Sequence, residues 1–163
     1  MTTAPPPAHR SAAEQDKLNQ ALIDLFERHI TFNQTLGMQV QLTGRDRPSV
    51  RFDMRPALVG HHHYGRLHGG VISAVLDATA GLALMHAIGE KHADEPAAQV
   101  MQRFGRMGTI DLRTDFLRQG IGRHFIATAD VLRLGGRLGS TTMRLVNDEG
   151  MLIATGAASY VLN

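Results

Sequence analysis

The sequence predicts an α+β fold in which an antiparallel sheet wraps around one central helix. Residues 71–88 are apolar at nearly every position, which is typical of a helix buried on all sides. The last third of the chain divides into four segments rich in Thr, Val and Ile, separated by turn signals. Two shorter alternating segments precede the apolar run. A helix of this kind needs a sheet that curls round it, or a second subunit that covers the rest.

Composition sets the class of protein and excludes several kinds of chemistry. The chain has 163 residues, of which 43% are hydrophobic and 20% charged, as expected for one globular domain. It contains no cysteine, so disulfides, thiolate catalysis and thiolate metal sites are excluded. The net charge of +2 is spread singly along the chain. Its Arg-rich balance suits a nucleotide-bearing small molecule as well as a nucleic acid.

The first helix is predicted over residues 14–34. Residues 1–13, with three consecutive prolines, are predicted to be a disordered leader, and residues 14–163 a single domain. The leader has no apolar segment typical of a secretion signal, so a cytoplasmic location is expected. The helical spacing is carried by Leu18, Leu22, Leu25, Phe26 and Ile30. Gly37 is expected to end the next segment.

The remaining elements follow in order. The segments "MQVQLTG" and "SVRFDM" alternate and are joined by "GRDRP", which predicts an antiparallel pair. A long loop precedes a helix over 69–88, and "GEKHADEP" is expected to be a polar surface loop. Four strands are predicted over residues 108–117, 123–134, 138–148 and 150–162.

One carboxylate, Asp77, interrupts the apolar helix. A lone buried carboxylate costs several kcal/mol unless it is paired or hydrogen-bonded, and a mid-span Asp also disfavours a membrane helix. The positions three and four residues away hold Ser73, Ala74, Ala80 and Gly81, so no ion pair within the helix explains it. Asp77 could cap a backbone or pair across the core. Alternatively, it faces a ligand pocket and acts as a general base.

Gly69 and Gly70 open the same helix. Backbone N–H groups at a helix start, with the positive end of the helix dipole, can polarise a carbonyl. Eight residues of helix separate Gly69 from Asp77 by about 12 Å, too far for one carbonyl to touch both. If both act on one atom, Asp77 must come from a second subunit, which indicates a dimer.

The stretch "HGGVISAVLDATAG" resembles the signature of hotdog-fold acyl-CoA thioesterases of the PaaI type, with an Asp nine positions after the His. Downstream, "GTIDLRTDFLRQG" and the segment over 131–162 resemble the strands that follow in that family. The similarity covers roughly residues 36–162, and the added N-terminal helix resembles the YigI-like branch, which acts on medium- and long-chain acyl-CoA.

The resemblance implies a role for several residues. Asp77 would activate water, while the backbone N–H of Gly69, with Gly70, would polarise the thioester carbonyl across the subunit interface. Thr109 would help to hold the water. His62 stands where many relatives have an Asn that orients the leaving group or the water, and could donate a hydrogen bond in its place.

The resemblance also implies the partners. An acyl-CoA substrate and a homodimer, or a tetramer of such dimers, are expected, with no cofactor, nucleic acid or membrane insertion. CoA phosphates would meet the turn that contains Arg133, Gly135 and Arg137. Further candidates are Arg113, Arg118 and Arg123.

The consecutive histidines His61, His62 and His63 allow three interpretations: exposed loop residues, a lining of the active-site mouth that includes His63 beside the substrate, or a metal site. No acidic partner supports the metal site, so none is predicted.

Two other functions remain open at this point. An acyl-thioester hydratase or dehydratase would pair His68 with Asp77, although the longer dehydratase motifs are missing. A non-catalytic acyl-CoA-binding protein would keep the fold without the chemistry.

Overall fold

A computed structural model describes residues 9–162 of the chain. Its helices are α1 (Ala12–Asp24), α2 (Thr31–Leu36), α3 (Gly69–Lys91) and α4 (Ala97–Gln102). Its strands are β1 (Gln39–Gln41), β2 (Ser49–Asp53), β3 (Val59–His61), β4 (Arg66–Leu67), β5 (Gly108–Phe116), β6 (His124–Leu134), β7 (Leu138–Asn147) and β8 (Leu152–Val161). A π-helical segment (Leu25–His29) joins α1 to α2, and 3-10 turns lie at Pro56–Leu58 and Arg103–Arg106.

Six strands form one antiparallel sheet in the order β1-β2-β6-β7-β8-β5. The predicted pair of short strands is present, with Gln39 opposite Arg51 and Gln41 opposite Ser49. All four C-terminal strands are present within two residues of their predicted bounds. The small hairpin β3-β4 lies in the predicted loop just before α3. The predicted α+β architecture is therefore confirmed.

Helix α3 packs across the sheet, and its apolar residues form the core. Leu76, Leu82 and Leu84 have no exposed surface. A Cβ on Gly139 of β7 would lie 2.6 Å from the Leu84 side chain, so this glycine allows the helix to approach the sheet closely. The length and composition of α3 would also suit a membrane span, but 56% of its most apolar window is buried within the protein.

The N-terminal segment is fixed to the far end of α3. Ser11 caps α1 by accepting a hydrogen bond from the Glu14 backbone N–H at 3.3 Å, and Arg10 is buried. The prediction of a disordered leader falls mostly on residues 1–8, which lie outside the described residues. The structured part begins before residue 14, because Arg10 is held against the end of α3. The local sequence does not show this contact, since the partner lies far away in the chain.

Between α3 and β5 the structure adds elements to the predicted polar loop. Helix α3 continues to Lys91, and α4 with its following 3-10 turn precedes β5. Helix α4 packs against α1. Its six residues include two buried ones, Ala97 and Val100, so its periodicity is too short to be recognised from the sequence alone.

Candidate active site

Asp77 is half-buried where α3 passes the ends of β5 and β8. Thr109 of β5 donates its hydroxyl to Asp77 Oδ1 at 2.9 Å. Tyr160 of β8 lies 2.6 Å from the same oxygen and 2.7 Å from the Asp77 backbone carbonyl oxygen. The carboxylate thus has partners across the core, which explains how a buried helix tolerates it.

The two carboxylate oxygens have different surroundings. Oδ1 faces both hydroxyls, whereas Oδ2 has no hydrogen-bond partner among residues 9–162. Oδ2 is also not among the fully enclosed side-chain atoms that lack a partner. The arrangement fixes the rotamer through one oxygen and leaves the other open to a water molecule.

Tyr160 is the residue of this site that the sequence did not reveal. Burial raises the pKa of its hydroxyl above the ordinary value, and the hydrogen bond and negative charge of Asp77 raise it further. The phenol therefore stays protonated and donates near neutral pH. The available signal was a tyrosine at the end of an apolar strand, because a buried tyrosine needs a partner for its hydroxyl.

The N-terminal end of α3 forms the second part of the candidate site. His68 is the N-cap, and its Nδ1 accepts the Gly70 backbone N–H at 2.9 Å. The Gly69 N–H has no acceptor among the described residues. Gly69 therefore offers an open donor at the helix start, while the N–H of Gly70 is already engaged by His68.

Gly69 also borders a cavity of about 410 Å³. Its lining includes the apolar side chains of Leu67, Ile72, Phe116 and Leu117 and the polar side chains of Arg66, Arg118 and Gln119. The ring of Phe116 lies 3.4 Å from the position that a Cβ on Gly69 would take. An apolar group can therefore reach this helix start.

Within one chain, Thr109 contacts Asp77, whereas His68, Gly69 and Gly70 lie too far from it. Nine residues of helix separate His68 from Asp77, about 13 Å along the axis. His68 is instead occupied as a cap. A His68–Asp77 acid–base pair within one subunit is therefore excluded by this geometry.

The histidines of the β3-β4 turn lie at the same end as Gly69. His62 and His63 are exposed, and their rings are 3.9 Å apart. Among the described residues, no group of three or more His, Asp or Glu side chains is arranged to hold a metal. Neither His62 nor His63 has a hydrogen bond that would assign it a role, so their participation stays a prediction.

The predicted CoA-binding residues lie at the β6-β7 turn, beside a cavity that opens on the other face of the sheet. Arg133, Gly135 and Arg137 line a cavity of about 650 Å³ together with Ser159. Side chains alternate along a strand, and Tyr160 points toward α3, so its neighbour Ser159 faces away from α3. This cavity and Asp77 therefore have the sheet between them.

The two edge strands of the sheet differ in length and in the contacts of their outer sides. Strand β1 is three residues long, and its Val40 N–H donates to Glu27 of the π-helical segment at 2.6 Å. Strand β5 is nine residues long and carries Ile110 and Phe116, 59% and 56% exposed. No described element pairs with its outer side. A long unpaired edge of this kind is suited to pairing with another chain.

Comparison with known proteins identifies the family to which this chain belongs. A model of the thioesterase superfamily matches residues 64–154, which contain Asp77, Gly69 and Thr109. The medium/long-chain acyl-CoA thioesterase YigI of Escherichia coli is 37% identical over 139 residues, covering 85% of this chain and 90% of the relative. The Salmonella typhimurium protein of the same name is 35% identical over the same span.

Solved structures agree with the fold. A Shewanella oneidensis protein related to the thioesterase superfamily has 33% identity and a TM-score of 0.87, covering 94% of this chain and 100% of its own. A Bacillus halodurans protein solved with CoA has 18% identity and a TM-score of 0.66, covering 94% and 95%, and bears on the fold alone. The chain belongs to the thioesterase superfamily, as its HGG…D signature predicted.

Proposed function

We propose that this protein hydrolyses acyl-CoA thioesters to a free acid and CoA. The observation that carries the proposal is the carboxylate of Asp77, held through Oδ1 by Thr109 and Tyr160 with Oδ2 left open. The relatives named medium/long-chain acyl-CoA thioesterases support this substrate class and a medium or long acyl chain.

In the proposed reaction, Asp77 Oδ2 accepts a proton from a water molecule as the water oxygen attacks the thioester carbonyl carbon. The carbonyl oxygen gains negative charge and accepts the Gly69 N–H at the positive end of α3. The C=O bond then re-forms as the C–S bond breaks, and the CoA thiolate takes up the proton that Asp77 accepted. Thr109 and Tyr160 act as positioning residues for Asp77.

The proposed site is shared between two subunits. The distance of about 12 Å along α3 from Gly69 to Asp77 prevents them from acting on one carbonyl within a chain. Pairing across the exposed β5 edge would bring a second copy to the strand that carries Thr109, beside Asp77. Gly69 of the partner would then face Asp77, and the apolar side of the cavity beside Gly69 would accept the acyl chain.

A hydrolysis screen tests the activity. The purified protein is incubated with acyl-CoA from short to long chain, and thiol release is measured. We expect turnover with a maximum at medium or long chains. Asp77→Asn should lower kcat by about 10²–10⁴-fold while acyl-CoA binding is retained. Asp16→Asn, which changes an exposed carboxylate on α1, is the matched control and should leave kcat unchanged.

No thiol release from any acyl-CoA, with binding intact, would contradict the proposal and favour a non-catalytic binding protein. Conversion of an enoyl-CoA to the hydroxyacyl form without thiol release would favour the hydratase.

Subunit complementation tests the shared site. Asp77→Asn and Gly69→Pro variants, each inactive alone, are mixed under conditions that exchange subunits. A mixed dimer holds one site with both residues intact only if Gly69 and Asp77 come from different chains. We expect activity to return to a fraction of wild type. Mixing that restores nothing, with exchange verified by mass, would place the site within one chain.

A further inference from the structure

We propose that the cavity at the C-terminal end of α3 binds the phosphates of the nucleotide half of CoA, a proposal that rests on the proposed function. The cavity has a volume of about 330 Å³. It lies between the last turns of α3, the segment 102–106 and the β6-β7 turn. Lys91, Arg106 and Gly136 are the groups that would meet the phosphates.

The cavity carries positive charge that nothing in the described structure neutralises. Lys91 and Arg106 line it, and neither forms a salt bridge or side-chain hydrogen bond within residues 9–162. Arg103 also lines it but is paired with Glu95, at 2.8 Å through Nε. No carboxylate belongs to the lining of the cavity as described. Two uncommitted cations on one concave surface favour a polyanionic ligand.

The backbone of the β6-β7 turn leaves room for a phosphate group. A Cβ on Gly136 would have no atom within 4 Å, so a ligand can approach the main chain there. The Gly136 N–H has no acceptor among the described residues, whereas the Gly135 N–H donates to Leu138. Gly136 lines this cavity together with the two cations, and its N–H is a backbone donor that a phosphate could use.

The end of a helix would ordinarily repel an anion, because its carbonyl groups carry partial negative charge. Here the buried guanidinium of Arg10 donates to the carbonyl oxygens of Gly89 and Glu95 at 2.6 and 3.0 Å. It also lies 3.4 Å from the His92 carbonyl oxygen. This fixed positive charge offsets the helix end and makes the cavity compatible with phosphate.

The position relative to Asp77 matches the length of the substrate. Ile88 and Lys91 follow Asp77 by about three and four helical turns and therefore share its face of α3. The rise from Asp77 to Ile88 is about 16 Å. The pantetheine arm joins the thioester to the phosphates through about four peptide-like units, which span about 14 Å when extended. A thioester at Asp77 would thus place its phosphates near the cavity.

The cavity also lies on the correct face of the sheet. Leu162 lines it, two residues after Tyr160 and on the same side of the strand. The cavity that contains Arg133 and Arg137 shares Gly135 and Gly136 of the turn with it, but extends to Ser159 on the opposite face of the sheet. We therefore assign phosphate recognition to Lys91 and Arg106, and Arg133 with Arg137 becomes the matched control pair.

The test compares two substrates with the same acyl chain, acyl-CoA and the phosphate-free acyl-pantetheine. For the double variant Lys91→Gln/Arg106→Gln, we expect the KM for acyl-CoA to rise about ten- to a hundredfold. Its kcat, and its KM for acyl-pantetheine, should stay near wild type. Arg133→Gln/Arg137→Gln should leave both KM values unchanged. Calorimetric titration with CoA, and with pantetheine as the control, should show the same loss without any turnover.

Each other outcome overturns one proposal or the other. An unchanged KM for acyl-CoA in Lys91→Gln/Arg106→Gln, an equal rise for both substrates, or a selective rise in the Arg133/Arg137 pair would reject the Lys91–Arg106 site. Loss of CoA binding in the Lys91/Arg106 pair, in a protein that hydrolyses neither thioester, would support the phosphate site and reject the proposed hydrolysis.

Discussion

The two ends of α3 meet the same physical requirement in different ways. Every helix leaves N–H groups unpaired at its start and carbonyl groups unpaired at its end. At the C-terminal end, Arg10 donates to the carbonyl oxygens of Gly89 and Glu95, and its backbone N–H donates to the carbonyl of Ala93. At the N-terminal end, His68 engages the Gly70 N–H, and the Gly69 N–H stays open.

This difference separates stability from chemistry along one helix. The carbonyl groups at the C-terminal end accept hydrogen bonds from a buried side chain 79 or more residues away in sequence, and we call this the closed end. It fixes the N-terminal segment to the core. The open N-terminal end retains a donor and a positive dipole where a carbonyl can approach. Variants at the first end should change the free energy of unfolding, and variants at the second should change kcat.

The largest effect is expected at the open end, from Gly69→Pro. Proline fits the first helical position, and the extended backbone of His68 (ψ 137°) is compatible with a following proline. The change therefore removes the N–H without breaking the helix. We expect kcat to fall by about 10²–10³-fold in the hydrolysis assay.

Gly69→Ala is the control, because it keeps the N–H and adds only a methyl group near Phe116. If both variants lose the same activity, the effect is steric and the N–H has no role in polarising the carbonyl.

The next largest effect is expected at the closed end, from Arg10→Met. Loss of the buried guanidinium leaves several carbonyl groups without a donor, which should lower the free energy of unfolding by about 3 kcal/mol. Thermal unfolding should show a Tm lower by about 6–12 °C. The kcat measured well below the new Tm should not change.

Arg28→Met serves as the comparison, since the exposed Arg28 side chain contacts only Asp24, at 3.5 Å, within residues 9–162. It should leave the Tm unchanged. A large loss of kcat in folded Arg10→Met would contradict the assignment of stability to one end of α3 and of catalysis to the other.

A smaller effect is expected between the two ends, from Tyr160→Phe. The phenyl ring keeps its packing, while Asp77 Oδ1 loses one of its two hydroxyl contacts. We expect kcat to fall about ten- to a hundredfold with KM unchanged, since a hydrogen bond to a charged group contributes about 1.5–3 kcal/mol. Thr109→Ala should act alike. If both hydroxyls hold the same rotamer of Asp77, the double variant should lose more transition-state stabilisation than the two single variants added together.

The smallest effect concerns His86, near the closed end of α3. Burial lowers its pKa below the ordinary 6.5. The charge of Glu90 and a hydrogen bond with the Arg45 backbone partly offset this effect, while the charges of Arg45 and Arg47 act in the same sense as burial. The unfolded state then binds more protons than the folded state as the pH falls through about 6.5. Stability should therefore decrease on acidification, and His86→Leu should flatten this slope in denaturant titrations at several pH values. An unchanged slope would show that other groups cause it.

Much of the fold could be predicted because its signals are local or periodic. The all-round apolar run indicated a buried helix over 69–88, which the structure extends to Lys91. Alternation and turn residues located the four C-terminal strands. Helix α4 was missed because six residues carry no reliable period, and the buried role of Arg10 was missed because its partners lie on α3 and the turn after it.

The site was predicted in part for the same reason. The spacing from His68 to Asp77 is a feature of one helix and is visible in the sequence. The Tyr160 contact joins residues 83 positions apart and depends on the register of β8 against α3, which no local pattern contains. The face on which each arginine lies also depends on strand register.

The sequence by itself determined the elements, the odd carboxylate in the apolar helix and the distance that separates it from Gly69, because helix pitch converts spacing directly into length. Only the tertiary structure decided which oxygen of Asp77 is open, which helix end is closed and which cationic cavity shares a face with Asp77. These properties depend on contacts between residues distant in the chain, whose geometry is set by the packing of α3 against the sheet.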